Sequence, residues 1–294
     1  MVTPSGDGRG QSPPPPLQGQ PPFCPAKRQG EKLFAHAPCS PAAQARYDGM
    51  TTLSKDLRIC RSMNLFFSTE LAPCPYLEHK LERRLVLQLG ADTALEQQDR
   101  LVLAGFRRSQ TFAYRPTCPG CQACVPVRIP VEKFAFTRGW RRILRRNADL
   151  TAETKRPKAT EEQFQLFRHY LAGRHADGGM AGMGWAEYRS MLEDCPSTSH
   201  VIEWRRPDQS LIGVSITDQV KSGLSGVYKF FDPEESRRSL GSQIILWHVQ
   251  RALELGLAYV YLGYWIAASP KMDYKARFKP LERLTKDGWM ALEA

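Results

Sequence analysis

The order of elements in residues 200–265 constrains this fold most. His200–Arg206 (HVIEWRR) reads as a strand rich in β-branched and aromatic residues, and Pro207-Asp208 as a turn. Ser210–Val220 is a second strand, Lys221-Ser222-Gly223 a second turn, and Leu224–Asp232 a third strand. Turns this short leave an antiparallel meander. The loop PEESRRSLG follows, then a helix expected over Ser242–Leu255 with Gly256 as its C-cap, then a strand at Leu257–Trp265. Three antiparallel strands, a helix and a further strand make an α+β arrangement.

The stretch from Tyr114 to Leu150 carries the most chemistry. Cys118, Cys121 and Cys124 come first, then the β-branched, proline-flanked run Val125–Val131. Arg138, Arg141, Arg142, Arg145 and Arg146 follow at i, i+3, i+4, i+7 and i+8, which puts them on one face of a helix. Trp140, Ile143 and Leu144 fall on the opposite, core-seeking face. No Asp or Glu lies between Arg138 and Arg146, so no i,i+4 pairing neutralises the row. A polyanion relieves that repulsion, and guanidinium suits phosphate. The alternative is a solvated charged face.

The chain has 294 residues, a net charge of +11 and a pI near 9.4, which favours an anionic partner. It has no apolar run of membrane-spanning length and no apolar core of a signal peptide, and a cytoplasmic protein is expected. The eight cysteines (Cys24, Cys39, Cys60, Cys74, Cys118, Cys121, Cys124 and Cys195) then read as thiols or metal ligands rather than disulfides.

Residues 1–62 are expected to be a disordered, proline-rich extension. Met50 and Met63 precede more globular sequence, so residues 1–49 are expected to be an upstream-start artefact. An N-terminal domain is expected over 63–150 and a C-terminal one over 151–294. Leu65–Leu71 reads as a strand, Leu77–Leu89 as mostly helical, Ala94–Ala104 as a helix, and Ser109–Pro116 as an alternating strand. Thr160 and Gln163 form a capping box for a helix that buries Phe164, Phe167 and Leu171. GGMAGMG is a link, and Trp185–Glu193 a further helix.

The loop before the helix at Ser242 suits an anion. A helix start offers free N–H groups and partial positive charge, and Arg237, Arg238, Ser239 and Gly241 precede it. In acyl-CoA transferases this loop reads Arg/Gln-x-x-Gly-x-Gly/Ala. Here Arg238, Gly241 and Gln243 take those places, and Gln243 counts against coenzyme A. C-x-x-C-x-x-C offers three thiolates where zinc or an iron–sulfur cluster takes four, with Cys74 as the candidate fourth. Free thiols in a tight turn are the alternative. There is no G-x-S-x-G and no HExxH, and His36, His79, His169, His175, His200 and His248 are scattered. An enzyme of this kind works by positioning an activated donor.

The run YRPTCPGCQACVPVR, the arginine helix with RNADL, VYKFFDPEESRRSLGSQIILWHV, VYLGYWIAASPKMDYKARFKP and Cys74-Pro75-Tyr76-Leu77 resemble the bacterial aspartate/glutamate leucyltransferases. These are leucyl-tRNA–protein transferases related to the arginyl-tRNA–protein transferases. The resemblance covers residue 64 to the C-terminus. It implies transfer of leucine from leucyl-tRNA to the α-amine of proteins beginning with Asp or Glu, creating an N-degron. It also implies an acetyltransferase-like (GNAT-like) mixed sheet flanked by helices, with a duplicated core, and it requires no cofactor.

On this resemblance the five helix arginines, with Arg237, Arg238, Ser239 and Gly241, are candidates to bind tRNA. Asp232 is the candidate to accept the amine's proton or orient it, with capping of the Asp-Pro turn as its alternative. Tyr228, four residues earlier on the strand, shares its face and is the candidate to steady the developing oxyanion. Arg128, Lys271 and Lys275 are candidates to hold the acceptor's acidic side chain, and Tyr264, Trp265 and Ile266 to line the leucyl pocket. Acetyl-CoA-dependent N-acetyl transfer, a non-enzymatic nucleic-acid-binding protein with a metal site, and arginine as the donated residue remain rivals.

Overall fold

The structure is a computed structural model and describes residues 66–89, 95–176, 178–196 and 198–293. The proline-rich leader, the start-site reading of residues 1–49, and Cys24, Cys39, Cys60 and His36 lie outside the described residues.

The chain begins with β1 (Phe66–Ser68), β2 (Ala72–Pro73), β3 (Leu81–Glu82), β4 (Arg84–Gln88), α1 (Leu95–Leu103), β5 (Arg107–Ser109) and β6 (Phe112–Pro116). The helical reading of Leu77–Leu89 is corrected here. Its leucines recur every second residue, and Leu85, Leu87 and Leu89 join the small core with Phe106 and Ala113. Strand pairing to β1 and β6 fixes that alternation. The sheet β1-β4-β6-β5 is antiparallel throughout.

Next come β7 (Val125–Pro130), α2 (Arg138–Arg146), β8 (Thr151–Lys155), α3 (Glu161–Arg174) and α4 (Trp185–Glu193). Thr137 caps α2, its Oγ1 accepting from the Trp140 amide, and the Thr160–Gln163 capping box is formed. The meander is β9 (Ser199–Arg205), β10 (Leu211–Val220) and β11 (Gly223–Phe231), followed by α5 (Leu240–Glu254) and β12 (Tyr259–Trp265). α6 (Pro270–Asp273), β13 (Glu282–Thr285) and β14 (Gly288–Ala291) end the described chain.

A mixed sheet of eight strands runs β14-β13-β7-β12-β11-β10-β9-β8. α3 and α4 cover one face, where Phe164, Phe167, Tyr188 and Leu192 meet Val201, Val214 and Ile216. α5 and α2 cover the other, where Trp140, Ile245 and Val249 meet Ile129 and Val260. β7 and α2, expected in a first domain ending at 150, are built into the sheet and core of the C-terminal half. Residues 64–294 make one compact unit. Among the described residues only the large sheet carries a parallel pair, so the expected duplication is not repeated in the small one. No helix among the described residues is long and apolar enough to cross a membrane.

That parallel pair is β11 and β12, and it is short. Gly223, Leu224 and Ser225 pair with Tyr259, Val260 and Tyr261, and then the strands part. Gly223 is needed for the approach, since a Cβ there would lie 2.1 Å from the Tyr259 carbonyl oxygen. Each strand carries an extra residue where they part. Val227 is skipped in the pairing with β10, and Leu262 in the pairing with β7. Such bulges bend a strand, and a recess opens between the C-terminal ends of the two.

Candidate active site

Three cations converge on that recess. Arg107 enters from β5 and bridges the start of the gap, donating from Nη1 to Ser225 Oγ at 3.1 Å and from Nη2 to the Gly226 and Val227 carbonyls. Gly263 makes room on β12, with φ of +76°, and a Cβ there would lie 2.7 Å from Arg107 Nε. Farther along β11, Lys229 Nζ donates to the Gly241 carbonyl at 2.7 Å. Lys275, 6% exposed, lies in the 3-10 turn Tyr274–Arg277 and donates to the Tyr264 carbonyl. The Tyr274 ring adjoins both lysines, its centroid 5.2 Å from Lys229 Nζ and 6.0 Å from Lys275 Nζ.

Among the described residues none of the three has a carboxylate within 4.0 Å. Burial pushes the Lys229 ammonium down to about 7. Burial, then the charges of Arg107 and Lys229, brings Lys275 down to about 7 as well. Burial, then Tyr170, pushes the Tyr274 hydroxyl up to about 12. Beneath them His248 is held down to about 3 by burial, hydrogen-bonded to Thr217 Oγ1 at 2.7 Å and the Ile244 carbonyl at 2.8 Å. The recess is therefore an electropositive, partly desolvated site at the C-terminal ends of parallel strands, where open sheets bind ligands.

The arginine helix leads toward it. Arg138, Arg142, Arg145 and Arg146 are exposed and Arg141 half-buried, and among the described residues none of the five has a carboxylate partner. Trp140 is buried, stacked on Phe278, while Ile143 and Leu144 pack on the core. Arg146 donates to the Arg237 carbonyl, and Asn147 Nδ2 to the Arg238 carbonyl at 2.9 Å. These bonds tie α2 to the turn before α5. Arg237 is exposed. Arg238, expected to be free for phosphate, instead pairs with Asp149 at 2.8 Å and Glu235 at 3.2 Å. Ser239 is the left-handed N-cap of α5, and its side chain makes no cap bond. Gln243 is turned inward, its Oε1 without a partner.

Arg128 is a correction. It is 6% exposed, ion-paired with Glu282 at 2.7 Å, and flanked by the Tyr259 and Trp289 rings, so its charge is already matched. Asp232 accepts from the Glu234 amide at 3.0 Å and lies 3.5 Å from Arg206 and 3.7 Å from His169, the geometry of a turn cap in an ion network. Tyr228 packs against Phe167 and Phe230, and burial raises its hydroxyl well above the usual tyrosine range. The Tyr264 hydroxyl donates to the Gly105 and Tyr114 carbonyls, while Ile266 is fully buried and Trp265 packs on the core. Lys271 is exposed, near His175.

Cys74, Cys118, Cys121 and Cys124 are half-buried at one end of the small sheet. Burial, then the neighbouring Cys118, Cys74 and Cys121, pushes the Cys124 thiol up to about 11. No three of these sulfurs lie within 4.8 Å of one another; among the described residues only His169, Asp232 and Glu234 gather so closely.

The sequence reading missed Lys229, Arg107 and Tyr274. Lys229 left a signal, a charge between Tyr228 and Phe230 in a buried strand. Arg107 left none, because its partner Ser225 is 118 residues away.

Residues 72–142 match the family described as Arginine-tRNA-protein transferase, N terminus, and residues 162–285 match its C terminus. The Aspartate/glutamate leucyltransferase of Parvibaculum lavamentivorans is 49% identical over 77% of this chain and 94% of its own length. That of Nitrobacter winogradskyi is 47% identical over 78% of this chain and 92% of its own. The solved structure of L-PGS from Bacillus licheniformis covers 50% of this chain and 46% of its own at 12% identity with a TM-score of 0.41, too remote to carry an argument. The matched families and the named relatives define a transferase enzyme. Within that class, the chain belongs to the aspartate/glutamate leucyltransferase family.

Proposed function

We propose that this protein moves leucine from leucyl-tRNA to the α-amine of proteins whose first residue is Asp or Glu, in the cytoplasm, giving them an N-terminal leucine that marks them for N-degron proteolysis. The recess between the parted strands β11 and β12 carries this reading, with the unpaired arginine face beside it. The arginines neutralise tRNA phosphates, so that the aminoacyl end reaches the recess. The order β9-β10-β11-α5-β12 with its parted parallel pair is read as an acetyltransferase-like (GNAT-like) core taking an ester in place of a thioester. The inward Gln243 occupies the place of the last small residue of a coenzyme A loop. A cationic recess also disfavours a donor with a cationic side chain, which supports leucine over arginine.

In the step itself the acceptor nitrogen bonds to the leucyl carbonyl carbon, the ester C–O bond breaks, and the ribose oxygen takes a proton as the nitrogen loses one. The α-amine needs only one proton removed near its pKa of about 8. Asp232 is proposed to orient the amine and Tyr228 to steady the oxyanion. Near-normal turnover in Asp232→Asn would leave Asp232 as a turn cap alone. Lys271 remains a proposed outer contact for the acceptor, and Tyr264, Trp265 and Ile266 the apolar wall nearest the leucyl group.

The four cysteines are the soft donor set of zinc or an iron–sulfur cluster, and Cys124 already feels the other three. Such a group would be held by Cys74, Cys118, Cys121 and Cys124 and would serve a structural role only. Less than half an equivalent of metal in protein purified under reducing, chelator-free conditions removes that assignment.

The reaction is tested with purified protein, radiolabelled leucyl-tRNA and arginyl-tRNA, and peptides beginning Glu, Asp and Ala. Leucine on the Glu and Asp peptides alone is expected. Arginine instead keeps the class and changes the donor, and transfer from neither refutes the reading.

A further inference from the structure

We propose that the recess between β11 and β12 is the seat for the side-chain carboxylate of the acceptor's first residue, held by Lys229 and Lys275 with Arg107 behind them. This deepens the transfer reading above and rests on it. Three cations with no carboxylate within 4.0 Å among the described residues, in a partly desolvated recess, are costly to keep. An arriving carboxylate removes that cost by pairing with them, and the site then gains affinity from charges already paid for in folding.

The surroundings fit this ligand. Arg107 is held in place by Ser225, Gly226 and Val227, so it supplies field rather than reach. Lys229 and Lys275 both adjoin the Tyr274 ring. Two separate ammonium groups on unbranched stems suit both Asp and Glu, which differ by one methylene, where a rigid guanidinium fork would fix one length. An amide in place of the carboxylate leaves both ammonium groups unmatched, and sites built to pair a polar group reject analogues that lack it. The facing backbones of β11 and β12 are not paired to each other beyond Ser225 and Tyr261, which suits an extended chain end entering the gap. Arg128 cannot serve, since Glu282 holds it.

The test uses the full chain and fluorescent peptides beginning Glu and Gln, otherwise identical. Binding is measured by anisotropy without tRNA, and kcat and KM by leucine transfer. Wild type is expected to prefer the Glu peptide by about ten-fold or more in Kd. Lys229→Met and Lys275→Met are expected to bring the Glu/Gln ratio toward one, mainly through Kd and KM, while Lys229→Arg keeps most of it. Thermal melting and tRNA binding establish that each variant is folded. Wild type without a preference, or Met variants whose ratio stays within about three-fold of wild type, overturns the proposal. Should the binding preference and its loss hold while leucine is not transferred, the transfer reading fails and the carboxylate seat stands.

Discussion

Replacing Lys229 with Met should stabilise this protein at neutral pH. Burial lowers the Lys229 ammonium from 10.5 to about 7 in the folded state. Between those values the unfolded chain binds a proton that the folded chain does not, so wild-type stability rises as pH climbs from 7 to 10.5 and is least below 7. At about 1.4 kcal/mol per pH unit the full cost below pH 7 is on the order of 5 kcal/mol. Lys229 keeps part of its side chain exposed, and Met forfeits the bond to the Gly241 carbonyl, worth about 1 kcal/mol. A net gain of about 2 kcal/mol at pH 7 remains after both discounts.

The neighbouring groups preserve the sign. The Tyr170, Tyr228 and Tyr274 hydroxyls are raised by burial, and His248 is neutral throughout this window. Lys275 titrates in the same window, and losing Lys229 eases the repulsion on it, which adds to the gain. Urea unfolding of both proteins at pH 7 and pH 10 reads the effect, with unchanged m-values as the control. The gain should shrink toward zero at pH 10. An equal gain at both values, or a loss at pH 7, refutes the reasoning.

Arg142→Gln and Arg145→Gln should each weaken tRNA binding and reduce the slope of log K against log salt by about 1; an unchanged slope in a salt titration removes that arginine from the phosphate track. Gly263→Ala places a Cβ against Arg107 Nε at a backbone with φ of +76°. It should cost about 2 kcal/mol or more in urea unfolding and lower transfer, and a neutral effect would mean that the gap tolerates a side chain. Thr160→Ala removes the side-chain cap of α3 and should cost about 1 kcal/mol, with transfer unaltered once the protein is folded.

What was legible in the sequence is what local periodicity specifies. The meander, α5 and β12 follow from short turns between apolar runs. α2 ends where the arginine row ends, because Trp140, Ile143 and Leu144 bury the opposite face. Thr160 and Gln163 announce α3 by bonding to each other's backbone. What was not legible depends on residues far apart in the chain. Arg128 read as a free cation because Glu282 lies 154 positions away. β7 read as part of a separate domain because its partners β12 and β13 come more than a hundred residues later. The recess needs bulges on two strands and an arginine from another sheet, and none of these leaves a pattern within a single window of sequence.

The same distant packing explains how one chain can hold two unlike anions. Four of the five α2 arginines are exposed, which suits phosphates spread along a backbone and would make their binding sensitive to salt. Lys275 is buried and Lys229 partly so, where screening is weaker and a single carboxylate suffices. A short path of bonds joins the two. Arg146 and Asn147 of the α2 end bond to the Arg237 and Arg238 carbonyls, Ser239 opens α5, and Gly241 in the first turn of α5 accepts from Lys229. On the proposed reading, a phosphate on Arg146 or Arg237 and a carboxylate on Lys229 would be held by the same packed elements. Positioning of donor against acceptor by that frame is the entropic advantage an enzyme without its own nucleophile must rely on.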